Sequence, residues 1–98
     1  MITIAGLIDG NIVTSGKGGG IYMKDSTSNT ISAAMVNNHV GGSLGFGGAL
    51  AMWGCSVITV TGGFTNNTAQ MGGYQVYTKT CQNISISQSL NSQDRFDE

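Results

Sequence analysis

Apolar residues recur along this chain in fixed columns, close together within a block and again one block later. Leu50 anchors the central block, and Met52, Cys55, Ile58, Val60, Phe64 and Asn67 follow it. Counting without gaps from Ile21 gives Met23, Ser26, Asn29, Ile31, Met35 and Asn38, and counting from Val76 gives Thr78, Cys81, Ile84, Ile86, Leu90 and Gln93. Ile2, Ile4, Ile8 and Asn11 fall into the last columns, as the back half of a further copy. The copies are roughly 26 to 29 residues long, the length of a solenoid repeat. Within each copy apolar and polar positions alternate with a period of two, which predicts strands and not helices. The predicted strands cover 1–8, 12–14, 21–23, 29–35, 50–52, 58–64, 76–78 and 84–86.

Turn chemistry separates these runs. Gly10-Asn11, the cluster Gly16-Lys17-Gly18-Gly19-Gly20, Asp25 to Ser28 and Asn37-Asn38 are connections. Residues 39–46 form a longer connection than 68–71, expected to bulge from the stack with Leu44 or Phe46 tucked back. Gly62-Gly63 marks a bend or bulge before Phe64.

No single copy can bury its apolar side alone. Stacked copies can, with parallel strands about 4.8 Å apart and matching columns running up the interior. The expected fold is all-β: a right-handed parallel β-helix of about three coils over 1–90, with coil anchors Ile21, Leu50 and Val76. Residues 91–98 are a polar tail or the start of a cap. The column Asn11-Asn38-Asn67-Gln93 is expected to form a ladder of side-chain amides. A β-sandwich would not repeat in register, and a helical repeat would not tolerate this much glycine. Three coils make a stack only about 15 Å tall with open edges at both ends. The chain opens in mid-repeat, with half a coil, and is expected to be a fragment of a longer polypeptide.

The segments Gly47-Gly48-Ala49-Leu50 and Phe64-Thr65-Asn66-Asn67 resemble the paired GGA[ILV] and FxxN motifs of the polymorphic outer membrane protein repeat family, which includes chlamydial autotransporter adhesins. Gly18-Gly19-Gly20-Ile21 and Met35-Val36-Asn37-Asn38 are near matches. Gly72-Gly73-Tyr74-Gln75 keeps only two glycines, and Leu90 to Gln93 lacks the Asn. The resemblance implies an adhesive autotransporter passenger β-helix at the cell outer membrane or secreted outside the cell. Its partners would be further coils of the parent chain and a host-surface protein or glycan. The alternative is a fragment of a carbohydrate-binding or polysaccharide-processing β-helix protein whose active residues lie elsewhere.

Composition narrows this further. The net charge is −1 with 4 Lys plus Arg, which gives no basic face for nucleic acid. No apolar stretch is long enough to span a bilayer, and the N-terminus lacks a signal-peptide pattern.

The chemistry on offer is that of binding, and no catalytic residue, cofactor site or metal site is expected. Asp9 and Asp25 fall in different columns, His39 is a lone loop residue, and Gly16-Lys17-Gly18 lacks phosphate-loop spacing. The glycosylation-like triplets Asn66-Asn67-Thr68 and Asn83-Ile84-Ser85 are incidental in a bacterium. Cys55 and Cys81 share one column in adjacent coils, either as a disulfide or as two stacked reduced thiols. Alternation places Tyr22, Ala51 and Tyr77 in one outward column and Lys24, Trp53 and Lys79 in the next. Trp53 then lies between two lysines, within reach of cation–π contact. Tyr22, Lys24, Trp53, Tyr77 and Lys79 therefore form the candidate surface for a glycan or protein partner, or else a ladder that only shields the sheet. These outward columns are too mixed for an ice-binding threonine array.

Overall fold

The computed structural model describes residues 2–98, so Met1 of the expected first strand lies outside it. The strands are β1 (Thr3–Ile4), β2 (Leu7–Asp9), β3 (Ile12–Val13), β4 (Ile21–Lys24), β5 (Thr27–Ile31), β6 (Ala34–Val36), β7 (His39–Val40), β8 (Leu50–Trp53), β9 (Ser56–Val60), β10 (Phe64–Thr65), β11 (Thr68–Ala69), β12 (Val76–Lys79), β13 (Gln82–Ile86) and β14 (Arg95–Asp97). Every pairing among them is parallel. The chain climbs as a β-solenoid of about 3 turns, with no helix among the described residues.

Four sheets form the walls. β4, β8, β12 and β14 make the first; β1, β5, β9 and β13 the second; β2, β6 and β10 the third; and β3, β7 and β11 the fourth. Their register reproduces the sequence columns. Ile21 pairs with Leu50 and Leu50 with Val76; Ile4, Ile31, Val60 and Ile86 form one file, and Ile8, Met35 and Phe64 another. Ile31, Met35, Leu50, Met52, Ile58, Val60 and Val76 are fully buried. At about 25 cal/mol per Å² of apolar surface removed from water, these files supply the main drive for stacking.

The coils turn where the backbone takes positive φ, and those positions also stack. One corner runs through Asp25, Gly54 and Thr80, and another through Gly10, Asn37 and Asn66. A third file, Ser28-Val57-Asn83, lies inside the second wall and puts one unpaired residue into each of β5, β9 and β13. The runs predicted at 1–8, 29–35 and 58–64 are each broken into two strands. Gly6 turns the first at φ 99°. At the equivalent corner above, a Cβ on Gly62 would collide with the Ala33 carbonyl. A period of two continues across a tight corner, so alternation alone does not reveal the break.

The motif residues have distinct mechanical jobs. Gly47 adopts φ 71° at the corner entering β8. Gly48 abuts the Tyr74 and Thr68 carbonyls, leaving no room for a side chain. Ala49 and Leu50 are fully buried, and Phe64 is buried in the core beneath. Asn67 carries the amide ladder. Asn11 Nδ2 donates to Asn38 Oδ1 at 3.0 Å, Asn38 Nδ2 to Asn67 Oδ1 at 2.9 Å, and Asn67 Nδ2 to Gln75 Oε1 at 2.7 Å. Gln93, expected as the last rung, is not part of it: its main-chain N–H donates to Asn91 Oδ1, and its main-chain carbonyl accepts from the Tyr74 N–H. Gln75 takes the place because it enters the same corner from the following coil, one residue before the anchor Val76.

Residues 91–98 are ordered into the wall. β14 pairs with β12 in the register Val76↔Arg95, Tyr77↔Phe96 and Thr78↔Asp97. Two interior files thus end in charges, with Arg95 bound to Asp97 at 3.1 Å. Thr78 donates its hydroxyl proton to Asp97. Inward charge at an edge discourages further strand pairing. The opposite rim keeps apolar side chains in solvent, with Ile2, Leu7 and Ile12 at 59%, 66% and 72% exposure.

Candidate functional site

The outer surface of the first wall holds the candidate residues. In β4, β8 and β12, alternate side chains point into the core, so those between face outward. The register Lys24↔Trp53↔Lys79 puts one lysine on each side of the tryptophan along the stack. The Lys24 ammonium lies 5.8 Å and the Lys79 ammonium 4.7 Å from the Trp53 ring centroid. A third cation, Lys17, comes within 5.3 Å of the same ring.

Lys17 was not among the residues expected here. It sits in the Gly-rich connection, paired by a parallel bridge with Phe46, which in turn bridges to Gly72. Counting four positions back from the anchors Ile21, Leu50 and Val76 gives this column. The signal was therefore present, outside the strand segments.

Tyr77 does not belong to the accessible surface. It points outward as expected, but Phe46 stacks on it at 4.8 Å, Phe96 lies at 5.8 Å, and only 1% of it is exposed. The long loop thus tucks Phe46 back, while Leu44 stays in solvent. Burial, with the Glu98 carboxylate beside it, pushes the Tyr77 phenol up to about 12. The accessible set is Tyr22, Lys24, Trp53 and Lys79 together with Lys17. Tyr22 is half exposed. Lys79 pairs with Glu98 at 3.3 Å, with both side chains about one-third exposed at 37% and 35%, so the pair contributes little and exchanges readily.

Cys55 and Cys81 are free thiols stacked in adjacent coils. The Cys55 amide donates to Cys81 Sγ at 3.4 Å. Each thiol faces main-chain carbonyls: Cys81 Sγ lies 3.4 Å from Met52 O, and Cys55 Sγ lies 3.6 Å from Met23 O. Burial raises the Cys55 thiol above its usual value.

The other polar candidates stay apart. His39 begins β7 and meets Thr68 Oγ1 at 2.7 Å, a cross-strand contact at the surface. Asp9 lies in β2 and Asp25 at the corner after β4, on different walls. No three His, Cys, Asp or Glu side chains gather into a metal-binding group among the described residues. A groove of about 270 Å³ runs beside the first wall, lined by Met71, Tyr74, Gln93 and Phe96 among others.

No protein-family model matches the chain, and neither the curated proteins nor the solved structures contain a match. Three ammonium groups around one flat apolar ring suit the capture of a ligand that combines negative charge with an apolar face.

Proposed function

We propose that this chain is a non-catalytic β-helix module, surface-exposed or secreted, that serves adhesion. The observation carrying the reading is the file Lys24-Trp53-Lys79, held outward by strand register and joined by Lys17. A partly buried, outward-facing tryptophan among cations is the kind of rigid, amphipathic anchor that binding surfaces concentrate. The GGA[ILV] and FxxN motifs support the outer-membrane or extracellular setting, since they resemble repeats of adhesive passenger domains. The outer edges of β1, β2, β3 and β4, each at the end of its sheet, support pairing with further β-helix coils as a second partner.

The test is retention of chain-coated beads on cultured cell layers under flow. Wild-type beads are expected to hold, and beads carrying Trp53→Ala are expected to fall to the level of uncoated ones. Equal retention of the two, with circular dichroism showing both folded, would overturn the reading.

A further inference from the structure

We infer that the lysine-ringed Trp53 is a site for an acidic glycan, one whose sugar rings carry sulfate or carboxylate groups. This rests on the adhesive reading and names its ligand class.

The distribution of charge points there first. The chain has 4 basic residues, and three of them converge on one ring, Lys17 and Lys24 from the coil on one side of it and Lys79 from the coil on the other. The fourth, Arg95, lies away from this cluster in β14 and meets both carboxylate oxygens of Asp97 at 3.1 Å. Lys17 and Lys24 form no ion pair among the described residues, and Lys79 has only its exposed partner Glu98. Like charges gathered this way repel one another, and an anion bridging them removes that cost.

The ring supplies the second half of the specificity. Lys24 and Lys79 stand two strand spacings apart, about 10 Å, with Trp53 between them. A pyranose laid along this row can pack an apolar C–H face on the solvent-facing part of the indole while its anionic groups draw the ammonium groups on either side off the ring and onto themselves. A lone inorganic anion would use the lysines and leave the ring idle. Single-stranded nucleic acid could use both, but it needs a cationic track along its backbone, and the net charge of −1 provides none beyond this cluster.

Trp53 is the only tryptophan, so its fluorescence reports on this site alone. The chain would be titrated with a sulfated hexasaccharide, its desulfated neutral counterpart, inorganic sulfate, and a single-stranded DNA oligonucleotide. The expected result is a saturable change in emission with the sulfated sugar, weakened at least threefold when salt rises from about 0.05 to 0.3 M. The neutral sugar and inorganic sulfate are expected to bind at least tenfold more weakly. Lys17→Gln and Lys24→Gln should each weaken binding several-fold with unchanged circular dichroism. Glu98→Gln should tighten it about two- to fivefold by releasing Lys79, an outcome that misfolding cannot mimic. No saturable response, equal binding of the neutral sugar or of sulfate alone, or tighter binding of DNA would overturn the assignment. Beads that hold to cells while the sulfated sugar fails would overturn the glycan and leave the adhesive reading standing. Failure of both would remove both.

Discussion

Truncating the middle of the amide ladder should be among the costliest single changes in this chain. Asn67 has two acceptor and two donor contacts. Its Oδ1 receives the Asn38 amide and Asn38 Nδ2, each at 2.9 Å, and its Nδ2 donates to Met35 O at 2.8 Å and Gln75 Oε1 at 2.7 Å. At about 1 kcal/mol net per bond, Asn67→Ala removes about 4 kcal/mol. Partners with a second contact soften the loss: Asn38 Nδ2 keeps Ile8 O at 3.1 Å. The Asn38 amide has no such reserve, and Asn38 is fully buried, so its orphaned N–H costs about 1–3 kcal/mol. The expected total is about 3–5 kcal/mol, against about 5–15 kcal/mol for a domain of this size. Asn11→Ala is the control. Asn11 is exposed and its side chain makes one ladder bond, while its main-chain amide still reaches Asn38 Oδ1 at 3.0 Å. That change should cost about 0.5 kcal/mol. Urea unfolding followed by circular dichroism measures both, and at a slope of about 1.5 kcal/mol per molar the Asn67→Ala midpoint should fall by about 2 M or more. A loss below about 1 kcal/mol at unchanged slope, or equal losses for the two variants, would refute the ladder as a stabilising element.

Three further outcomes are expected. Val57 is a β-branched residue held at φ 56° and half exposed, so Val57→Asn should relieve about 1 kcal/mol of left-handed strain and raise Tm by about 4–8 °C; a lower Tm would contradict this. A thiol reagent should modify partly exposed Cys81 quickly and buried Cys55 only on unfolding, and Cys81→Ser should abolish the fast phase; a persisting fast phase would contradict the assignment. The Tyr77 phenol, raised by burial and by Glu98 to about 12 from 10, binds its proton more tightly in the folded chain. Its contribution is therefore whole below pH 10 and lost as pH rises through 12, on the order of 2 kcal/mol, so Tyr77→Phe should flatten the alkaline limb of the stability profile. Parallel alkaline limbs for the two proteins would refute that.

The inward columns were legible because burial permits few residue types there. Ile4, Ile31, Val60 and Ile86 could be aligned by type alone, and the parallel register follows that alignment. The corners were harder to read. Gly6 and Gly62 turn the chain without interrupting the period of two, so two strands looked like one. The ladder's last rung is hidden in the sequence for another reason. Gln75 reaches Asn67 from the next coil, 8 residues on, whereas the repeat spacing points one full copy ahead to Gln93. Tyr77 shows a third kind of miss, because alternation gives the direction of a side chain but not what covers it. The cover is Phe46, delivered by the one connection longer than its counterpart. The same geometry explains the uneven motifs. Gly48 is pressed by carbonyls of the coil above, whereas Tyr74, at the equivalent corner position of the last coil, is still 36% exposed and has room for its ring.

In a parallel solenoid, residues one repeat apart in sequence become neighbours one strand spacing apart in space. Inward files must then be compatible with each other along the whole stack, and their residue types are restricted. Outward files carry no such restriction, so a row such as Lys24-Trp53-Lys79 can change while the fold persists. The three lysines around Trp53 bring no core burial with them, and a surface cation–π contact contributes only about 0.5–1 kcal/mol. Stability alone gives little reason for three of the chain's 4 basic residues to meet at its single tryptophan. The proposed ligand-binding role would supply one. It separates the two kinds of column experimentally, since substitutions in the outward row should move binding far more than stability, and substitutions in the inward files the reverse.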